Sequence, residues 1–276
     1  MFGQQSPVRI ATLNLGRCLG KDPYDVSPTL AWVKGVGSGA ISPPAHVLCL
    51  QDVPASVLGY LWQFQSIFVP MTDHLIFGRR EPVGIAIVST FPLVDRALRF
   101  THGDGILRDL QGVGNDNQRI EPSELADQLV LETESRVVLA ATVMLHDGRT
   151  IRVATHHGFW TRGGVHTDLQ RRSTGILGRF LHTQGMQHGG VVFAADTNTD
   201  RGGEVIASLQ EWDGRDFLPA EIQTTLAPHH PAAKFGAKPD RIMVFSGAKG
   251  YPFSVENFRL DFSPGSDHGM LIGDIV

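Results

Sequence analysis

Short apolar runs, each closed by turn-forming or polar residues, recur along the whole chain and restrict it to a few architectures. Residues 8–15, 47–50, 85–89, 136–143, 151–155 and 191–195 read as strands, and 242–245, 253–260 and 270–276 continue the series. Helical periodicity falls between them. It is clearest over 166–182, where Leu169, Ile176, Leu177, Phe180 and Leu181 form one stripe and Arg171, Arg172 and Arg179 lie mostly off it. Shorter helices are expected at 28–34, 55–62 and 204–212. This mixture favours one α/β domain, residues 1–276, with sheets buried on both faces.

A chain of 276 residues, 42% of them hydrophobic, can bury a substantial core. Its net charge of -4 argues against a general nucleic-acid coating protein, which needs a large positive excess, but leaves room for a local basic cleft. Cys18 and Cys49 stand alone and outside any CxxC pair, so neither a disulfide framework nor a zinc or thioredoxin-like site is expected. The opening MFGQQSPVRIA lacks the basic region and long apolar run of a secretory signal. No apolar stretch approaches the ~20 residues of a membrane span. The expected setting is soluble, reducing and cytoplasmic. Two long polar stretches remain: 101–127, rich in Gly, Asp and Asn, and 223–239, which carries His229 and His230. Connections of that length are usually functional. The bland alternative, a surface insertion without a role, is weaker for the second.

Polar residues end several of the apolar runs. Asn14 breaks the first; VLCLQD ends in Asp52; VVFAADTNTD carries Asp196 and Asn198; IRVAT precedes His156 and His157; GSDHG places Asp267 and His268 before the last strand. Each alone is ordinary, because an Asp after a strand commonly caps a turn. Together they are harder to dismiss, since the strands of one sheet can bring their ends to one place. Carboxylates with Asn and His, and no cysteine set, suit a hard oxygen-binding cation such as Mg²⁺ rather than zinc. The matching chemistry is phosphate-ester hydrolysis. A cation neutralises phosphoryl oxygens, an Asp activates water, and His or Asn holds the developing charge.

In order along the chain, TLNLG, LQD, GIAIVSTFPL, ATHHG, AADTN, PDRIMV and SDHG resemble the TWN, LQE, GVAILSRYPI, THL, GDxN, DxI and SDH segments of the endonuclease/exonuclease/phosphatase superfamily. The resemblance runs from Thr12 to His268. Within the superfamily, ADTNTDRGGEV, PDRI, SDHGMLI and the TRG at 161–163 are most similar to the tyrosyl-DNA phosphodiesterase 2 branch. It implies a four-layer α/β/β/α sandwich with two stacked mixed β-sheets and the site at one sheet edge. It also implies a Mg²⁺- or Mn²⁺-dependent phosphodiesterase. Asn14, Asp52 and Asp267 would lie on the metal side, and Asp196 would orient or deprotonate the attacking water, with Asn198 contacting phosphate. Asp267 would support His268, which would stabilise the transition state, and Asp240 would orient a neighbouring histidine. For the second histidine, direct alignment of THL selects His156, whereas alignment from the TRG selects His157. Alternation puts Val153, Thr155 and His157 on one face and favours His157. Arg162 would contact phosphate.

Three departures bear on this. Leu13 stands for the usual Trp, Ala195 for Gly, and Asp52 for the metal-binding Glu. Asp is shorter by one methylene, ~1.5 Å of reach, and Mg²⁺ demands near-ideal geometry. Weaker metal binding or a preference for Mn²⁺ would follow. The expected substrate is a phosphate ester, nucleic acid or a nucleic-acid end. The alternatives are a lipid or inositol phosphodiesterase, and a catalytically inactive binding protein on the same fold.

Overall fold

The structure, a computed structural model, describes residues 7–18, 27–76, 79–105, 134–161, 164–199 and 202–276. Most of the 101–127 stretch, and Arg162 with Gly163, lie outside those residues. In chain order the strands are β1 (Val8–Asn14), β2 (Val47–Pro54), β3 (Gln65–Ile76), β4 (Arg79–Ser89), β5 (Leu93–His102), β6 (Arg136–Met144), β7 (Thr150–His156) and β8 (Gly190–Asp196). Then come β9 (Gly214–Asp216), β10 (Asp240–Ser246), β11 (Val255–Asp261) and β12 (Met270–Ile275). The described α-helices are α1 (Pro28–Ser38), α2 (Ala55–Leu58), α3 (Asp168–His188) and α4 (Glu204–Glu211).

Two six-stranded sheets result, ordered β11-β12-β1-β2-β4-β3 and β5-β6-β7-β8-β10-β9. Both are mixed, since β1 and β2 run parallel, as do β7 and β8, while the other named pairs are antiparallel. Strand alternation sorts the apolar residues into three buried layers. Ile10, Cys49, Ile87, Leu139, Val153, Val192 and Val244 fill the space between the sheets. Leu13, Leu48 and Leu50 face outward onto Trp32, Val33 and Val57 of the first helices. Val191, Phe193 and Ala195 face outward from the second sheet onto Leu177, Leu181 and Leu209. Sheets covered on both faces explain the near-continuous apolar runs. The layers are helix, sheet, sheet, helix.

Three strands had no counterpart in the apolar pattern: β3, β5 and β9. All are sheet edges. Outside these three strands, the mismatches are of length. Helix α3 runs six residues past its expected end to His188. Gly185 lets the helix lie close against the end of β10: a Cβ there would meet the Ser246 carbonyl oxygen at 2.3 Å. Cys18 and Cys49 are buried free thiols. Burial, aided by Glu81, raises the Cys18 thiol to about 12. Among the described residues, no helix is long and apolar enough to cross a membrane.

Candidate active site

Strand polarity gathers the polar residues at one edge. Parallel β1, β2, β7 and β8 end there, with Asn14 and Asp196 as last residues of β1 and β8. Antiparallel β10 and β12 begin there, so Asp240 pairs in register with Asp196, and His268 just precedes β12 beside β1. The positions come from topology, and the side chains then converge.

Asp196, fully buried, is the hub. Its Oδ2 accepts the Asn14 side-chain amide at 2.8 Å, and its Oδ1 accepts the Asn198 backbone N–H at 2.9 Å. His157 Nε2 and His268 Nε2 approach the same Oδ2 at 3.6 and 3.8 Å. On the far side of its ring, His268 Nδ1 donates to Asp240 at 3.0 Å. Burial by itself would lower the His268 pKa, but the Asp240 and Asp196 carboxylates outweigh it and hold it up at about 10. His268 is therefore an imidazolium lodged between two buried carboxylates.

His156 and His157 separate cleanly. His157 faces the hub, with Nδ1 3.3 Å from Asp52 Oδ1. His156 turns to the opposite side of the sheet, where it shares a hydrogen bond with Thr101 Oγ1 at 3.0 Å and packs among residues of α3. Burial, then the Arg136 charge, push the His156 pKa well below the usual histidine range. It is a neutral structural histidine.

Asp52 reaches the site through a bulge. The β2–β4 register shifts between Leu50 and Val53, and Asp52 adopts φ 51. Asp and Asn tolerate that left-handed region better than other residues with a Cβ. Gln51, its neighbour, points the other way and ties the two sheets together, donating to Thr155 Oγ1 at 2.8 Å and Thr12 Oγ1 at 3.1 Å. Asn198, at φ 45, donates one side-chain N–H to the Gly158 carbonyl at 3.1 Å and keeps a second. Gly158 is needed there: a Cβ would meet the Thr197 carbonyl oxygen at 2.2 Å. Gln170, in the capping box of α3, secures both loops by donating to the carbonyls of Phe159 at 2.8 Å and Asn198 at 3.3 Å.

The support expected from Asp267 reaches His268 through charge, and the ring is oriented by Asp240, the acid expected to orient a neighbouring histidine. Asp240 holds the His268 ring, while Asp267 is exposed and lies beside the Asn14–Gly16 turn, 3.5 Å from where a Gly16 Cβ would stand. Ser266 is the local organiser. Its hydroxyl donates to the Asn14 carbonyl at 2.6 Å and accepts the His268 N–H at 3.2 Å. The 223–239 stretch is stitched to this segment. Leu226 bridges His268, Ala227 N–H donates to the Asp267 carbonyl at 2.8 Å, and Gly269 N–H to the Thr225 carbonyl at 2.8 Å. It thereby brings in His230, whose ring lies 6.3 Å from that of His268. Ser266, Thr225 and His230 gave no periodic signal in sequence, and the Thr167-to-Gln170 capping box that places Gln170 was missed although its Thr-x-x-Gln spacing carries one.

Asp196, Asp240 and His268 bring polar atoms within 4.8 Å of one another, but a ring held protonated by these carboxylates has no lone pair for a cation. One observation does fit a cation. His157 Nδ1 is buried and without a hydrogen bond although Asp52 is near, which leaves a polar atom awaiting a partner. Asp240 is already spent on His268, so the more open place lies toward Asp52 and Asp267. The Asn14 amide divides the two regions: its N–H faces Asp196, and its oxygen, accepting Gly16 N–H at 2.8 Å, faces the Asp267 turn.

Neither a protein-family model nor a curated protein sequence matches the chain. Solved structures do. An endonuclease/exonuclease/phosphatase from Beutenbergia cavernae superposes with a TM-score of 0.65 at 14% identity, over 98% of this chain and 72% of that one. Humanized D. rerio TDP2 gives 0.61 at 15% identity, over 99% and 100%. The mannosyl-6-phosphatase Bt3783 of Bacteroides thetaiotaomicron gives 0.62 at 12%, over 98% and 99%. At such identities the likeness establishes architecture, and the architecture is the endonuclease/exonuclease/phosphatase fold that the motifs implied.

Proposed function

We propose that this protein hydrolyses phosphate esters with a bound Mg²⁺ or Mn²⁺ ion, and that its substrate is a phosphodiester in nucleic acid or at a nucleic-acid end. The observation that carries the reading is the convergence on buried Asp196 of Asn14, His157 and His268 from three other chain segments, joined by Asn198 of its own loop. Asn14, Asp52 and Asp267 would hold the cation, which when bound would neutralise charge on the phosphoryl oxygens. Asp196 accepts the proton of the attacking water, oriented for that by the Asn14 amide and the Asn198 N–H. His268, kept protonated by Asp240, donates Nε2–H to the oxygen where negative charge grows. Asn198 offers its second amide N–H to the phosphate. His157 lines the same opening between Asp52 and Asp196. Arg162 remains a proposed phosphate contact.

The nucleic-acid part rests on the segment resemblance and on a fold neighbour, D. rerio TDP2, seen with a single-strand DNA product. Net acidity favours engagement of an end or a single strand, because extended duplex binding needs many more phosphate contacts. Another neighbour on the same fold is a mannosyl-6-phosphatase, so the decisive panel includes a sugar monoester. At fixed low salt with Mg²⁺ or Mn²⁺, single-stranded DNA, abasic duplex, 5′-tyrosyl DNA, RNA, sphingomyelin, inositol phosphates and mannose 6-phosphate are compared. Turnover of a nucleic-acid member, lost on chelation, is expected. Turnover confined to lipid, inositol or sugar phosphates overturns the substrate, and full activity after exhaustive chelation overturns the metal.

A further inference from the structure

Resting on that phosphoesterase reading, we infer that His230 is a further catalytic residue, donating its Nε2–H to an oxygen of the bound phosphoryl group on the mouth side of the site. Its tautomer is set by the backbone. Nδ1 accepts the Ala232 N–H at 3.0 Å, so in the neutral ring the proton resides on Nε2. That N–H points toward Asp267, but the 4.0 Å separation is too long for a hydrogen bond. The N–H therefore stays available to donate to a phosphoryl oxygen, which the ionised Asp267, an acceptor only, would not itself bind.

The ring is not loosely placed. The segment that carries it is anchored to the His268 strand by the Leu226–His268 bridge and by the Ala227 and Gly269 backbone hydrogen bonds. Downstream, the Ala233 N–H returns to the His230 carbonyl at 3.0 Å, starting the short turn at Ala233–Phe235. The ring meets His268 edge to face, at 66°. A quarter of its side chain is exposed, against a tenth for His268. The two N–H groups therefore serve one pocket from two depths. His268 reaches the oxygen nearest the buried Asp196, and His230 the oxygen nearest the opening beside Asp267. A surface histidine would have neither the fixed tautomer nor the tether, and its exposed neighbour His229 shows neither among these bonds.

The test uses inorganic phosphate as probe and the full chain as protein. Phosphate affinity is measured by calorimetry with Mn²⁺ present and again after chelation, beside kcat and KM on the best substrate of the panel. H230A is expected to weaken phosphate binding about tenfold, the scale of one hydrogen bond to a charged group, with only a small drop in the phosphate-free unfolding temperature from loss of the Ala232 hydrogen bond. H230Q, whose amide nitrogen reaches about as far as Nε2, should recover most of that loss, and H230N, which is shorter, should not. Unchanged phosphate affinity and unchanged kinetics in H230A overturn the role of His230 while the wild-type reading stands. Equal losses in H230A, H230N and H230Q, together with a large drop in unfolding temperature, also overturn it, marking a structural residue. A wild-type protein that neither cleaves any ester nor binds phosphate overturns the parent reading instead.

Discussion

On the His268 side of Asp196 the polar groups are buried and tied into β8, β10 and the bridge to Leu226, whereas on the Asp52 side they hang from a bulge, a turn and a loop. Asp240 and His268 are held by adjacent strands and by each other. Asp52 sits at a left-handed φ, Asp267 has nearly half its side chain exposed, and His157 Nδ1 has no hydrogen bond. The contrast matches two different tasks. A donor that meets growing charge works best when it needs no rearrangement. Ligands for a cation can wait in an incomplete arrangement, because the ion itself completes it.

The hardest break of this division comes from the open side. Removing the divalent cation with a chelator, or replacing Asp52 by Ala, is expected to abolish metal-dependent turnover. Metal titrations of the D52A protein check it, and an unchanged metal dependence would reduce Asp52 to a bulge former. Next come the hub and the closed side. D196N removes the charge that activates water and H268A the donor, and each is expected to lower kcat at least ~10²-fold. Steady-state kinetics near the wild-type value for either would remove that residue from the chemistry.

A smaller effect should come from D240N, which leaves His268 in place but withdraws the carboxylate behind it. A loss of about tenfold to a hundredfold in kcat is expected, the range seen for partners that orient a working histidine. Circular dichroism should show an intact fold. The paired histidines sharpen the comparison further. H157Q should lower activity, whereas H156Q should leave kcat alone and cost ~1 kcal/mol of stability in denaturant unfolding through its hydrogen bond to Thr101. The reverse pattern would mean that the strand face has been assigned wrongly. The smallest change is expected from D52E. It restores the longer acid on a bulge already shaped for Asp, so its apparent metal affinity should move only a few-fold, on the order of 1 kcal/mol.

Sequence reading located the central strands because both their faces are buried and their interiors are a continuous apolar run, as in residues 191–195 of β8. It missed β3, β5 and β9 because an edge strand is partly solvated and loses that signal; β5 is mostly exposed along its length. Asn14, Asp196 and His268 were legible as polar interruptions at strand ends. That His157 and not His156 faces Asp196 was legible through period-two alternation. What alternation could not supply was contact across the chain. That Asp240 rather than Asp267 holds His268 depends on β10 pairing with β8, and pairing is not written in either strand alone. The bulge at Asp52 was hidden likewise, since VLCLQD reads as a strand that simply ends at Asp52, whereas the strand runs on to Pro54.

The closest tie between the two ends of the site is the Ser266 hydroxyl on the Asn14 carbonyl, 252 residues apart along the chain. Strand β1, made first on the ribosome, finds one of its two sheet neighbours only in β12, made last among the described strands. The entropic penalty of closing so long a loop is modest, since each doubling of length adds only ~0.6 kcal/mol. The kinetic consequence is larger, because distant pairings slow folding. A chain made only as far as residue 226 carries Asn14, Asp52 and Asp196 but neither Asp240 nor His268, so the polar cluster around Asp196 closes only after β10 and β12 have joined their sheets.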